Sequence, residues 1–125
     1  MKRWISKKKG NFYELLSSKF WSKELGIKVL RTPRSGAFFS MPADLLVFGN
    51  SILKDFCIDV KSEQGLLPKK VVAYFKKNKE DAEGKIPILE IYVNYYEDSP
   101  LILISRKEFA KILSELDNYR KEKDV

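Results

Sequence analysis

Between about Asn11 and Leu25, apolar residues return every three or four positions. Phe12, Leu15, Leu16, Phe20 and Trp21, with Lys19 among them, predict an amphipathic helix. Asn11 is placed to cap its start, and Gly26 stands where such a helix ends. The period then changes. Ile27 to Thr32 is a short β-prone run, and Pro33 to Met41, rich in Ser, Gly and Pro, predicts a loop. Ala43 to Phe48 is apolar, whereas Asp55 to Lys61 alternates, with Phe56, Ile58 and Val60 on one side and Asp55, Cys57, Asp59 and Lys61 on the other. With Gly49-Asn50-Ser51 between them, these two runs predict a hairpin.

The second half repeats the alternation of elements. A helix is expected from about Pro68 to Ala82, with Val71, Val72, Phe75 and Tyr74 apolar and Gly84 at its end. Ile86 to Val93 and Leu101 to Ile104 read as strands separated by the turn residues Glu97-Asp98-Ser99-Pro100. A last helix begins at Ser105, because Ser105 with Glu108 three residues on is a capping box, and Phe109, Ile112, Leu113 and Leu116 form its apolar stripe. Neither a repeat nor an internal boundary is visible. The order of helix, β-meander, helix, two strands and helix predicts one α/β domain over residues 1–125, a central mixed sheet flanked by helices. Residues 1–10 are expected as a flexible basic arm and 118–125 as a fraying charged tail.

Composition sharpens the picture. An apolar content of 44% in 125 residues suits one globular domain with one core. The longest apolar runs are far too short to span a bilayer, and the basic Met1–Gly10 stretch has no apolar run after it, so neither a membrane span nor a secretory leader is expected. One cysteine, Cys57, forms no internal disulfide, which fits a reducing, cytoplasmic setting. Charge says more about partners. Twenty-four Lys and Arg against seventeen Asp and Glu give +7. Lys7, Lys8 and Lys9 crowd the N-terminal region, and Lys69, Lys70, Lys76, Lys77 and Lys79 crowd a later one. Such clusters attract a polyanion by counterion release, although a lysine-rich solvated surface has the same composition. With no histidine in the chain, any metal must be held by oxygen, which selects Mg2+ or Mn2+.

Candidate chemistry centres on one hairpin. Asp59 and Lys61 share a face by strand parity, and Asp44 begins the neighbouring run, so an antiparallel pairing brings all three to one edge. An isolated Asp-x-Lys is usually a salt bridge; an upstream acid on the paired strand changes that balance. Two carboxylates brought together favour a hard divalent cation, which can acidify a bound water and neutralise a phosphate under attack. The lysine can orient that water or stabilise the pentavalent phosphate.

Pro42-Ala43-Asp44 followed by Asp59-Val60-Lys61 resembles the motif of the PD-(D/E)XK nuclease superfamily, which has a restriction-endonuclease-like core. Within it the chain is most similar to archaeal-type Holliday junction resolvases, whose Lys-Gly and Glu on the first helix and Arg and Ser-Gly in the following loop are matched by Lys9-Gly10, Glu14, Arg31 and Ser35-Gly36. The motifs cover about residues 7–62, and the rest is similar in element order. Two positions depart from the pattern: the proline is one residue removed from Asp44, and Asp59 stands where those resolvases usually carry Glu. The resemblance implies a Mg2+- or Mn2+-dependent endonuclease on DNA four-way junctions, working as a homodimer. It also implies Glu14, Asp44 and Asp59 as metal ligands, with Lys61 and Ser35 beside them in catalysis.

Arg31 and Arg34, with Lys7, Lys8, Lys9, Lys69 and Lys70, are read as phosphate contacts. Glu63 is expected on the surface and Cys57 in the core. Glu90 has no assigned role, and Tyr92, Tyr95 and Tyr96 fit base stacking, a subunit contact or simple strand packing equally. Two alternatives stay open: a nuclease for ordinary duplex DNA or RNA, and a nucleic-acid-binding module of the same fold without catalysis.

Overall fold

The computed structural model describes residues 2–33, 43–93 and 99–123, with side chains from residue 10 onward. These residues form a mixed α/β protein of three α-helices and two small antiparallel sheets. They divide into two compact units, one of residues 1–62 and 110–125 and the other of residues 63–109.

In the first unit, helix α1 spans Lys2–Leu25 and stops where Gly26 turns into the left-handed region at φ 64°. The helix therefore starts well before Asn11, and the basic segment expected as an arm belongs to it. Its buried face also differs from the predicted stripe. Ser17, Ser18, Trp21 and Leu25 are buried, while Phe12, Leu15 and Leu16 are exposed. The serines explain the choice. Ser18 Oγ donates to the Leu15 carbonyl at 2.8 Å, so a small side chain satisfies its own hydroxyl on the helix backbone. Ser22 Oγ accepts from the Val29 N–H at 2.9 Å and fastens the next strand to the helix. Leu15 and Leu16 carry more bulk and have no such bond to make.

Strand β1 (Lys28–Arg31) packs on α1 and pairs antiparallel with β2 (Leu45–Phe48), in the register Lys28↔Phe48 to Arg31↔Leu45. The predicted partner of the Ala43–Phe48 run was the Asp55–Lys61 run; β1 takes that place. Gly49, at φ 107°, makes the exit from β2, and a Cβ there would come within 3.3 Å of Ile27 Cγ2. A 3-10 turn, Ile52–Asp55, then replaces the start of the expected second strand. It forms because Ser51 Oγ accepts from the Leu53 N–H (3.1 Å) and the Asp117 carboxylate accepts from the Ile52 N–H (2.8 Å), so these donors are taken before a ladder can use them. Phe56–Lys61 continues without strand pairing of its own.

Helix α3 (Arg106–Lys123) contributes its residues from Ala110 onward to this unit. Ser105 caps the helix as expected: the Glu108 N–H donates to Ser105 Oγ at 3.3 Å, the serine half of the capping box. Its buried residues are Ala110, Leu113 and Asp117, a shift of register from the predicted stripe, of which Ile112 is exposed. The helix runs on to Lys123, so most of the expected fraying tail is helical. Trp21, Leu25, Val29, Leu45, Leu53, Ala110 and Leu113 make the core, each burial contributing about 1.5–3 kcal/mol for the larger side chains.

In the second unit, α2 (Lys69–Asp81) starts after Pro68, close to the predicted boundaries. Strands β3 (Leu89–Ile91) and β4 (Leu101–Leu103) pair antiparallel within the two predicted strand regions. The central mixed sheet expected for the whole chain is thus replaced, among the described residues, by two separate antiparallel pairs. Not one described residue of this unit is buried, and Ile86, Ile88, Tyr92, Leu101 and Ile102 are exposed.

Candidate active site

Asp44 lies at the entrance to β2, held there by bonds that include three to described residues. Its carbonyl accepts from the Thr32 N–H (2.9 Å), its N–H donates to the Ile58 carbonyl (2.9 Å), and its carboxylate accepts from the Val60 N–H (2.8 Å). The first bond extends the β1–β2 register by one step; the other two tie the Asp44 backbone and side chain to the segment that carries Asp59 and Lys61. Asp44 therefore lies against the backbone of the 58–60 segment through these two bonds, and not through the expected hairpin ladder. A charge-assisted bond such as Asp44–Val60 is worth about 1.5–3 kcal/mol and holds the carboxylate in one orientation.

The neighbouring groups come from α1 and β1. Glu14 sits near the start of the buried face of α1, and Arg31 ends β1 next to Thr32. Arg31 Nε and Glu14 Oε1 are 3.5 Å apart, with the two side chains 38% and 17% exposed. At that separation the pair is loose, so the guanidinium neutralises the half-buried carboxylate without locking it. Arg31 and Thr32 are consecutive in the strand direction, so strand alternation sets the Arg31 side chain, with its Glu14 partner, on the opposite face of β1 from that of Thr32. Thr32 is 2% exposed, and its hydroxyl has no hydrogen-bond partner among the described residues.

Asp59 and Lys61 are both exposed. A cleft of about 380 Å³ is lined by Ala43, Leu45, Val47, Lys54, Phe56 and Cys57 among others. Cys57 is exposed, not a core residue as expected: alternation persists from Cys57 to Lys61, and Cys57 falls on the exposed side with Asp59 and Lys61, opposite Ile58 and Val60. Glu63 is exposed as expected, and Glu90 is exposed on β3.

Oxygen ligands alone are on offer here. Among the described residues no three acidic, His or Cys side chains gather into a metal-holding group. Asp44 and Asp59 each carry carboxylate oxygens of the type Mg2+ takes, one or two at a time with water completing its shell.

Of the other predicted residues, Arg34, Ser35, Gly36 and Pro42 lie outside the described residues. So do Tyr95 and Tyr96. Lys7, Lys8 and Lys9 fall within α1, with side chains outside the described set. Lys69 and Lys70 are exposed in the first turn of α2, in the second unit. Sequence reasoning missed Thr32, whose strand-end position gives no signal, and the Ser51–Asp117 pair, whose partners are far apart in the chain. The chain matches no family, curated protein or solved structure with which it was compared.

Proposed function

We propose that the chain is a Mg2+- or Mn2+-dependent endonuclease with a restriction-endonuclease-like core, acting on DNA and selective for four-way junctions. The observation that carries this reading is the pair of bonds from Asp44 to Ile58 and Val60, which draws the first acid against the segment bearing Asp59 and Lys61. In this reading Asp44 and Asp59 hold the cation, and Glu14 joins them when its loose pairing with Arg31 opens. A bound divalent cation supplies an acidified water and neutralises phosphate charge. Lys61, exposed and mobile, orients the attacking water or meets the charge that builds on the pentavalent phosphate. Arg31, once released by Glu14, is free to contact a phosphate.

The homodimer belongs to the same reading. Cutting two strands of like polarity in a junction needs two copies of the site, and a twofold dimer supplies them with the junction's own symmetry. The exposed apolar residues Ile86, Ile88, Tyr92, Leu101 and Ile102 offer a contact surface for it.

Cleavage of labelled four-way junction, linear duplex, flap and RNA substrates with Mg2+ or Mn2+ tests the reading, with excess EDTA as control. Paired cuts confined to the junction and lost in EDTA are expected. Turnover in EDTA would overturn the metal mechanism, and equal cutting of linear duplex or RNA would make the chain a general nuclease. A second reading, a nucleic-acid-binding module without catalysis, draws on the exposure of Asp59 and the lack of a three-acid group among the described residues. Junction binding without cleavage in either metal would favour it.

A further inference from the structure

Helix α2 carries Lys69, Lys70, Lys76, Lys77 and Lys79, and from Gln64 to Lys79 the chain has no acidic residue. All these lysines are exposed, and among the described residues none lies within ion-pairing distance of a carboxylate. The fold thus leaves their charge unneutralised. The helix turns another side inward: Val71, Phe75 and Asn78 are half-buried, and Asn78 Nδ2 donates to the Ile88 carbonyl at 3.0 Å. Tyr74 is not on that side. It is 53% exposed, with Lys70 Nζ 6.0 Å from its ring centroid. Lys70, Tyr74 and Lys77 are spaced i, i+4, i+7 and form one row, the two lysines about 10.5 Å apart along the helix axis. Asp81, four residues beyond Lys77, ends the row.

We infer that this row of α2 binds unpaired nucleic acid: a base stacks on the exposed Tyr74 ring, while Lys70 and Lys77 hold the phosphates on either side of it. Lysines alone would serve duplex and single strand alike. A duplex keeps its base faces stacked on one another, so an exposed ring between two cations fits a strand whose bases are free. The inference rests on the nucleic-acid part of the proposed function and uses none of its catalytic chemistry.

Fluorescence anisotropy of the full chain tests it, with a labelled oligo-dT strand, an abasic strand of the same length, a duplex, and phosphatidylserine vesicles as competitor. Tyr74→Ala should weaken oligo-dT binding by roughly five- to 150-fold. Its binding to the abasic strand should match wild type, which also shows the variant to be folded. Tyr74→Phe keeps the ring and should bind oligo-dT within a small factor of wild type. Lys70→Gln and Lys77→Gln should each make the slope of log K against log salt on oligo-dT shallower by about 0.7. Equal oligo-dT affinity in wild type and Tyr74→Ala, or an equal loss on the abasic strand, would overturn the inference and leave the endonuclease reading standing. Displacement of oligo-dT by the vesicles at lower phosphate concentration than by unlabelled oligo-dT would assign the row to a lipid surface instead. A wild-type chain that binds neither strand nor duplex would overturn both readings.

Discussion

Replacing Asp117 with alanine should remove the clasp that shapes the approach to the candidate site. The carboxylate is 6% exposed and accepts from Ser51 Oγ at 2.6 Å and from the Ile52 N–H at 2.8 Å. Ser51 Oγ in turn accepts from the Leu53 N–H, which starts the 3-10 turn. Each bond to a charged acceptor contributes about 1.5–3 kcal/mol, and the orphaned donors gain little from water in so buried a place. Taking the lower value for each bond gives a loss of about 3 kcal/mol. For a chain of this length the midpoint falls about 4 °C per kcal/mol, so Asp117→Ala should melt roughly 12 °C below wild type. Asp117→Asn keeps an oxygen for the Ile52 N–H and should lose about half as much. Circular dichroism melts of the two variants, with Ser51→Ala and the double variant to close the cycle, give the coupling directly. A midpoint for Asp117→Ala within about 2 °C of wild type would refute the assignment of these bonds as a structural clasp.

Asp44→Asn, Asp59→Asn and Lys61→Ala should each abolish cleavage while junction binding persists, measured by gel shift alongside strand cleavage; normal cutting by any variant removes that residue from the catalytic set. Binding should weaken steeply with salt: if roughly six phosphates are neutralised, log K against log salt should have a slope of about −5, and a flat response would make the lysine clusters an ordinary solvated surface. Gly10 lies inside α1 and a Cβ there meets nothing within 4 Å, so Gly10→Ala should stabilise the chain by about 0.5–1 kcal/mol in urea unfolding. Destabilisation by that change would mean the glycine is kept for a close approach.

Local features were readable in the sequence wherever a few adjacent residues decide the outcome. The end of α1 at Gly26, the start of α2 after Pro68 and the cap of Ser105 on the Glu108 N–H depend on single residues and their immediate neighbours. The bonds of Asp44 to Ile58 and Val60 were readable in part, since the two runs were expected side by side, although β2 takes β1 and not the 56–61 segment as its ladder partner. Other outcomes depended on contacts between distant residues. Ser51 and Asp117 are 66 positions apart, and their bond holds the start of a 3-10 turn ahead of the expected second strand, while β2 pairs with β1. The buried face of α1 was decided the same way. Apolar periodicity favours Leu15 and Leu16, but β1 bonds to Ser22 and the buried side holds Ser17, Ser18 and Trp21, so hydrogen bonding outweighs side-chain hydrophobicity. Thr32 shows the difference most plainly: its sequence position marks only the end of a strand, and its burial and its backbone bond to Asp44 exist only in the folded chain.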